Sequence, residues 1–277
     1  MGGPRRAGAR GQRSGQHRLS DRGSWPHLAP ALVRSGLVSV DFDGTLSPIV
    51  ADPSQAVPGP GAVAAVEELA RVCRRVLVVS GRPLEFLRRY FDDHLVTLVA
   101  SYGLEIADRG EVELHPQAGS WVDVVRDVAT ASREKGPPEM EVEEKGLSLT
   151  LHYRRHPEIA GQVEEWAAGQ AIRSGLEVRR AKLSVELHPP VQVDKGTAIL
   201  SFVDDARLVV HVGDDVGDLP AFDALDLLHG RGREVLKVAV DGDEVPALLI
   251  DRADLVLDGP PEVPEFLLYL RDRALGA

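Results

Sequence analysis

Cysteine is nearly absent from these 277 residues: Cys73 stands alone, so no disulfide can form within the chain. Its place in an apolar helical pattern reads as inert core, and such sparse cysteine fits a reducing, cytoplasmic setting. Long apolar runs are missing too. None approaches the roughly 18 residues that span a bilayer, and no N-terminal stretch has the apolar centre of a secretory signal. A net positive charge is also lacking. The total of −11 argues against a general binder of nucleic acid or anionic membranes. It still leaves room for a phosphate substrate if a metal and a few lysines line the site. There is no internal repeat and no heptad run.

What is present begins with a contrast in composition. Residues 1–34 carry seven arginines and one aspartate among scattered glycines, so the remainder is more acidic than the total. This arm is expected to be a disordered basic leader, with a nucleic-acid arm as the alternative. The chain is 43% hydrophobic and 27% charged, as in an ordinary globular protein of one large domain or two modest ones.

From Gly36 the punctuation becomes regular. Residues 37–42 are an apolar strand candidate, and 47–61 a loop rich in Pro and Gly. Val63, Val66, Leu69, Ala70 and Cys73 then recur at helical spacing, with Glu67, Glu68 and Arg71 on the opposite face. Residues 76–79 and 96–100 are apolar runs too short for helices, with a helical pattern over 84–91 between them. Strand, helix, strand, helix, strand predicts a parallel sheet with right-handed crossovers. Between about 106 and 190 the rhythm changes. Residues 140–144 and 147–153 flank Lys145-Gly146 as a hairpin would. In its second arm Leu147, Leu149, Leu151 and Tyr153 share one face, and Ser148, Thr150, His152 and Arg154 share the other. Helix patterns at 121–128 and 159–167, with strand material at 112–114, 176–178 and 183–187, complete a small α+β unit. It reads as a cap over 106–190, inserted into a core of 35–105 and 191–277. The core resumes with helices over 195–203, 216–228 and 263–275 and strands over 208–212, 235–240 and 255–257.

Several short stretches carry chemistry. Asp41 and Asp43 end the first strand on one side of it, about 7 Å apart. Gly44 lets the chain turn and brings its N–H near whatever lies beyond. The crevice past the carboxyl ends of parallel strands is where ligands bind. Two acids there would hold a divalent cation and, through it, a phosphate, although most Asp-Gly pairs are plain turns. Ser80-Gly81-Arg82 ends the next strand, where a hydroxyl and an N–H beside a glycine can hold a phosphate oxygen. Alone it is a common turn, and Lys195, at the start of a helix, is alone a surface lysine like any other. Asp214, Asp215 and Asp218 place three carboxylates within five residues after a buried strand. Capping a helix needs only one aspartate; three repel unless a cation sits among them, which favours a metal.

Taken in order, Asp41-Phe42-Asp43-Gly44-Thr45, Ser80-Gly81-Arg82, Asp194-Lys195-Gly196 and Gly213-Asp214-Asp215 resemble the four motifs of the haloacid dehalogenase superfamily. From about Val38 to Leu225 the chain resembles its trehalose-6-phosphate phosphatase branch. Ser47-Pro48, Glu143-Glu144-Lys145-Gly146 and Lys182 with Val185-Glu186-Leu187-His188-Pro189 carry the closer likeness. The resemblance implies an α/β fold, a Rossmann-like parallel-sheet core with an α+β cap inserted after the third strand. It implies Asp41 as nucleophile and Asp43 as general acid/base. Magnesium would be held by Asp41, the main-chain oxygen of Asp43 and Asp214, with Asp215 and Asp218 in support. Phosphate contacts would come from Gly44, Ser80, Gly81 and Lys195. Sugar contacts would come from Glu143, Lys145, Lys182 and Glu186, which otherwise read as a solvated charged face.

The implied activity is hydrolysis of trehalose 6-phosphate, with functional coupling to a trehalose-6-phosphate synthase and no nucleic-acid or membrane partner. As the acid, Asp43 must start protonated, which exclusion of water by a closed cap would favour. Two positions depart from the family pattern. Tyr102-Gly103 stands where His-Gly is usual, and Leu219 where Glu is usual, a loss expected to weaken the metal site. A phosphatase for another sugar phosphate (sucrose phosphate or a glycosyl-phosphoglycerate), a phosphohexomutase and a non-catalytic sugar-phosphate sensor remain open.

Overall fold

The computed structural model describes residues 17–18, 26–50, 52, 55–181, 183–242 and 245–277. Strand β1 (His17–Arg18) and helix α1 (Pro30–Arg34) precede β2 (Leu37–Val40), α2 (Ala62–Ala70), β3 (Arg75–Val79), α3 (Leu84–Leu87) and β4 (Thr97–Ala100). A hairpin of β5 (Glu105–Asp108) and β6 (Glu111–Leu114) leads to α4 (Val122–Lys135), β7 (Glu141–Glu144) and β8 (Leu149–His152). Then come α5 (Ala160–Ser174), β9 (Glu177–Ala181), β10 (Ser184–His188), α6 (Lys195–Phe202) and β11 (Leu208–Gly213). The chain closes with α7 (Leu219–Gly230), β12 (Glu234–Val240), α8 (Ala247–Arg252), β13 (Leu255–Leu257) and α9 (Val263–Leu275).

Nine of these strands form one sheet in the order β1-β13-β12-β11-β2-β3-β4-β5-β6. Its central strands are buried on both faces, which is why they read as mainly Val/Leu runs rather than alternating ones, with Ser39 and His211 buried among them. Alternate residues serve opposite layers. Val38, Val40, Val76, Val78 and Val210 pack with α2 and α9, and Leu37, Leu77, Val79 and Val209 with α6 and α7. Strand β2 pairs in parallel with β3 on one side and with β11 on the other. The chain thus winds away from β2 in one direction and returns in the other, and such a switch point opens a crevice at the strands' carboxyl ends.

The second sheet has the antiparallel order β7-β8-β10-β9. One face is covered by α4 and α5, where Val125, Val163, Leu149, Leu151, Val185 and Leu187 are buried together. Side chains at the alternate positions lie on the other face. Registers Glu143↔Thr150, Thr150↔Glu186 and Glu186↔Arg179 set four polar residues in one row across all four strands.

Two boundaries and one helix differ from the sequence reading. Strands β5 and β6 extend the core sheet antiparallel to β4, so residues 106–114 belong to the core sheet and not to the cap. A turn at Arg109-Gly110, both with positive φ, sends the chain back along the sheet edge. β6 is exposed throughout and so shows little apolar signal. Residues 26–34, assigned to the leader, pack on α9 instead: Val33 is buried, Arg34 Nη1 donates to the Ala274 carbonyl at 2.6 Å, and Tyr269 donates to the Pro26 carbonyl at 3.1 Å. β1 pairs with Leu255–Val256 of β13, and the rest of 1–25 lies outside the described residues. Helix α8 was not expected, being six residues behind Pro246, too short to show a period.

Candidate active site

The acids gather at the switch point. Asp41 follows β2, its N–H donating to the Val212 carbonyl of β11 at 2.9 Å, and Asp214 follows β11 itself. Oxygens of Asp41, Asp214 and Asp218 all lie within 4.8 Å of one another, and all three residues are buried. Burial pushes the Asp41 carboxyl well above its usual range; Lys195 opposes this, while Asp218 and Asp214 add to it. Burial, then the charges of Asp218 and Asp215, push Asp214 up to about 8.

Lys195 opens α6, whose N-terminus is fixed by a reciprocal cap between Asp194 and Thr197. Its Nζ lies 2.9 Å from Asp41 Oδ1 and donates to Asp218 Oδ1 at 2.6 Å. Burial would strip the ammonium of its proton, but Asp218 and Asp41 hold its pKa well above the usual value. Asp218 lies beneath. Its Oδ1 also meets His211 Nε2 at 2.9 Å, and its Oδ2 accepts from the backbone N–H groups of Asp214 (3.0 Å) and Asp215 (3.1 Å). Despite burial, Lys195 and His211 hold this carboxyl well below the usual range. With both oxygens so engaged, Asp218 anchors Lys195 and leaves Asp41 and Asp214 as the pair suited to a divalent cation.

Gly44 is required for a reason other than the one expected. Its φ is +77°, and a Cβ there would fall 2.0 Å from Asp214 Oδ2, so only glycine lets the two motifs meet. Its N–H donates to the Ser47 carbonyl at 2.8 Å and closes a turn, which corrects its assignment as a phosphate donor. Ser80 is buried, its Oγ accepting from the Arg82 N–H at 3.1 Å. Gly81 lies under the ring of Tyr102, where a Cβ would sit 2.5 Å from the ring. Asp215 is exposed and caps the turn below it by accepting from Gly217 N–H at 2.8 Å.

Asp43 is gripped by one arginine. Both of its oxygens accept from Arg82, Oδ2 from Nε at 2.8 Å and Oδ1 from Nη2 at 2.6 Å. The guanidinium packs over Phe86, 4.6 Å from the ring centroid, and its Nη1 comes within 3.6 Å of Glu143 on the cap. Arg82 thus ties the core to the cap. Sequence reasoning passed over it as part of a turn, because its burial and its reach across the cleft depend on the sheet.

A cleft of about 820 Å³ separates the two sheets. Asp41, Asp43, Ser80, Gly81, Lys195, Asp214 and Asp215 line its core side, and Glu143, Lys145 and Glu186 its cap side. Burial would raise the Glu143 carboxyl, but the His152 hydrogen bond at 2.8 Å and the charges of Lys145 and Arg82 outweigh it and bring the value down to about 2. Glu186 accepts from Ser148 at 2.6 Å, and Lys145 Nζ sits 4.0 Å from both glutamates. Lys182 lies outside the described residues. Tyr102, Thr150, His152 and Arg179 also line the cleft and were not singled out as site residues. Their signal was there for Thr150 and His152, in the alternation that puts them on the face of Ser148.

Residues 39–247 match the sequence profile described as Trehalose-phosphatase. The chain belongs to the trehalose-phosphatase family. Over 248 residues it is 35% identical to the trehalose-phosphate phosphatase of Mycobacterium ulcerans, covering 83% of this chain and 60% of that protein. Over 251 residues it is 34% identical to the Mycobacterium tuberculosis protein of the same name, covering 86% of this chain and 62% of that one. The chain therefore spans about 60% of the length of these curated relatives. Among solved structures, the C-terminal domain of C. albicans trehalose-6-phosphate phosphatase is similar, with TM-score 0.68, 26% identity and coverage of 89% of this chain and 98% of that one. A haloacid dehalogenase-like hydrolase from Bacteroides thetaiotaomicron, 15% identical over 85% of this chain and 99% of that one, shares the fold at TM-score 0.58. The fold is the α/β haloacid dehalogenase core with an α+β cap.

Both departures from the family pattern now have a place. Leu219 is not among the residues lining the cleft; it packs against a buried apolar cluster of Phe222, Ala239, Leu249, Ala253 and Val256. In that place a leucine takes nothing from the metal pair. Leu219→Glu should cost about 1–3 kcal/mol of stability by placing a charge in that cluster. It should leave the magnesium titration unchanged, and a tighter apparent magnesium constant would contradict this placement. Tyr102 forms the junction of core and cap. It adopts φ 59° and ψ 17°, a left-handed conformation that costs a bulky residue about 1–3 kcal/mol. The carboxylate of Glu186, then burial, push its phenol well above the usual value, so the hydroxyl keeps its proton.

Proposed function

We propose that this protein hydrolyses trehalose 6-phosphate to trehalose and inorganic phosphate. The observation that carries this reading is the facing of two sets of groups across one cleft. On the core side a buried lysine is paired with a nucleophilic carboxylate, and on the cap side carboxylates and an ammonium group alternate. Hydroxyls offer donors and acceptors together, so mixed charges suit a sugar better than a patch of one sign would.

In this mechanism an Asp41 oxygen attacks phosphorus, forming an aspartyl-phosphate as the bond from phosphorus to the sugar oxygen breaks. The departing oxygen takes a proton from Asp43. Asp43 then removes a proton from water, whose oxygen attacks the same phosphorus and frees Asp41. Lys195 and Ser80 stabilise charge on the phosphoryl oxygens. Because Arg82 holds both oxygens of Asp43, that residue delivers a proton only once the clamp loosens, and Glu143 on the cap is the competing partner for the same guanidinium. Bound magnesium would supply positive charge to the phosphoryl group. Asp41, Asp214 and the main-chain oxygen of Asp43 are proposed to hold it, since the two buried carboxylates otherwise repel. Magnesium should accordingly raise the melting temperature, and chelation should reverse the gain.

Among the described residues no helix is long and apolar enough to cross a membrane. A cytoplasmic setting, with substrate supplied by a trehalose-6-phosphate synthase, is proposed on the cysteine usage and the family. A different sugar phosphate is the second reading, favoured by one feature, Tyr102 in place of histidine. Single alanine substitutions at Glu143, Lys145 and Glu186 test the sugar assignment. Each should lower kcat/KM for the sugar phosphate roughly 10- to 150-fold, the worth of one hydrogen bond to a charged group. Hydrolysis of a small aryl phosphate, which does not reach the cap, should change little in the Lys145 and Glu186 variants, whereas Glu143→Ala, which also removes the competing partner of Arg82, should slow it as well. Equal losses on both substrates would mean that the core site or the fold was damaged, and no loss on either would return these residues to a solvated face.

A further inference from the structure

We propose that Tyr102 and Arg179 form a specificity-determining wall that binds the second sugar ring, so that the cleft reads a disaccharide phosphate and not a monosaccharide one. This rests on the sugar-phosphate reading above. The cap row Glu143, Thr150, Glu186, Arg179 crosses four strands in register. At about 4.8 Å between strands it extends roughly 14 Å, more than one sugar ring can span. Glu143 and Lys145 serve the β7 end, beside Arg82 and Asp43. The β9 end is closed by Arg179, whose guanidinium lies 5.5 Å over the Tyr102 ring.

Unpartnered buried polar atoms lie along the same cap face. Among the described residues, those without a hydrogen-bond partner are Thr150 Oγ1 and His188 Nε2. Both belong to the cap face that carries Glu186, since His188 alternates with it along β10 and Thr150 is its register partner on β8. His188 Nδ1 sits 2.7 Å from the Pro189 carbonyl and so carries the ring proton, which leaves Nε2 as a bare acceptor. The His188 ring meets Tyr102 edge to face at 6.0 Å. A buried hydroxyl and a buried ring nitrogen are stable without partners only if something else supplies them. Sugar hydroxyls, which donate and accept, match the Tyr102 and Arg179 donors and the two-way Thr150, all of which line the cleft. The left-handed backbone of Tyr102 is consistent with this role, because strain of that kind is retained where geometry matters.

The test uses the full chain and the variants Tyr102→Phe, Arg179→Gln and Thr150→Val, with trehalose 6-phosphate and glucose 6-phosphate as substrates. The wild-type protein should strongly prefer the disaccharide. Each variant should lose roughly 10-fold or more in kcat/KM on trehalose 6-phosphate, mainly through KM, and less than about twofold on glucose 6-phosphate. Inhibition by inorganic phosphate and the melting temperature should stay near wild type. Equal losses on both substrates, or undiminished disaccharide turnover, would overturn the wall while leaving the sugar-phosphatase reading intact. A wild-type protein that hydrolyses neither substrate would overturn that reading, and the wall with it.

Discussion

Asp41→Asn should reduce phosphate release by a factor on the order of 10⁴ or more, the scale on which removing a nucleophile acts. The amide is a poor nucleophile towards phosphorus and cannot carry the covalent intermediate. The fold should survive, because the change removes one of several carboxylates crowded in a buried site, where burial already disfavours its charge. An unchanged or raised melting temperature is therefore expected alongside lost turnover. Asp43→Asn should behave differently. It should slow both halves of the reaction and let phosphoenzyme accumulate when the leaving group needs no proton, as an activated aryl phosphate does. Acid-quenched protein labelled from such a substrate would show the adduct on Asp41 in that variant and none in Asp41→Asn. Near-normal turnover by Asp41→Asn would end the nucleophile assignment.

Lys195→Met should have the second-largest effect, this time on stability as well as rate. The ammonium is only 3% exposed and lies between Asp41 at 2.9 Å and Asp218 at 2.6 Å. Methionine fills similar space but leaves two buried carboxylates facing one another. Breaking a buried ion pair from one side typically costs about 3–5 kcal/mol, a large share of the roughly 5–15 kcal/mol that holds a domain together. A drop on the order of 10 °C in melting temperature should follow. Adding Asp218→Asn to Lys195→Met should recover part of the loss, since the second change removes one of the stranded charges. Strict additivity of the two losses would show that the pair is not coupled.

The legible parts of this molecule were those encoded locally. Apolar runs ending in Asp41, Ser80 and Asp214 marked parallel strands, because a strand buried on both faces must be apolar throughout. Their order gave the site, since the carboxyl ends of neighbouring strands converge wherever the winding reverses. The alternation over residues 147–154 located the polar face of the cap. Features set by partners distant in sequence were not legible. The β5–β6 hairpin is exposed, and what assigns it to the core is its pairing with β4. Residues 26–34 pair their backbone and Arg34 with α9, more than 200 positions away. Leu219 looked like a missing ligand because the family pattern has Glu there, yet at the helix start it packs against an apolar cluster. The Gly44 N–H looked free because nothing local shows the Ser47 carbonyl folding back on it.

Turnover of sugar phosphates tests the account most directly. Phosphate release should be measured with magnesium on trehalose 6-phosphate beside sucrose 6-phosphate, glucosyl-3-phosphoglycerate and glucose 6-phosphate. Trehalose 6-phosphate should be hydrolysed with the highest kcat/KM, by about tenfold or more, and chelation should stop the reaction. A higher kcat/KM on any of the other three, or isomerised sugar phosphate in place of free phosphate, would contradict it.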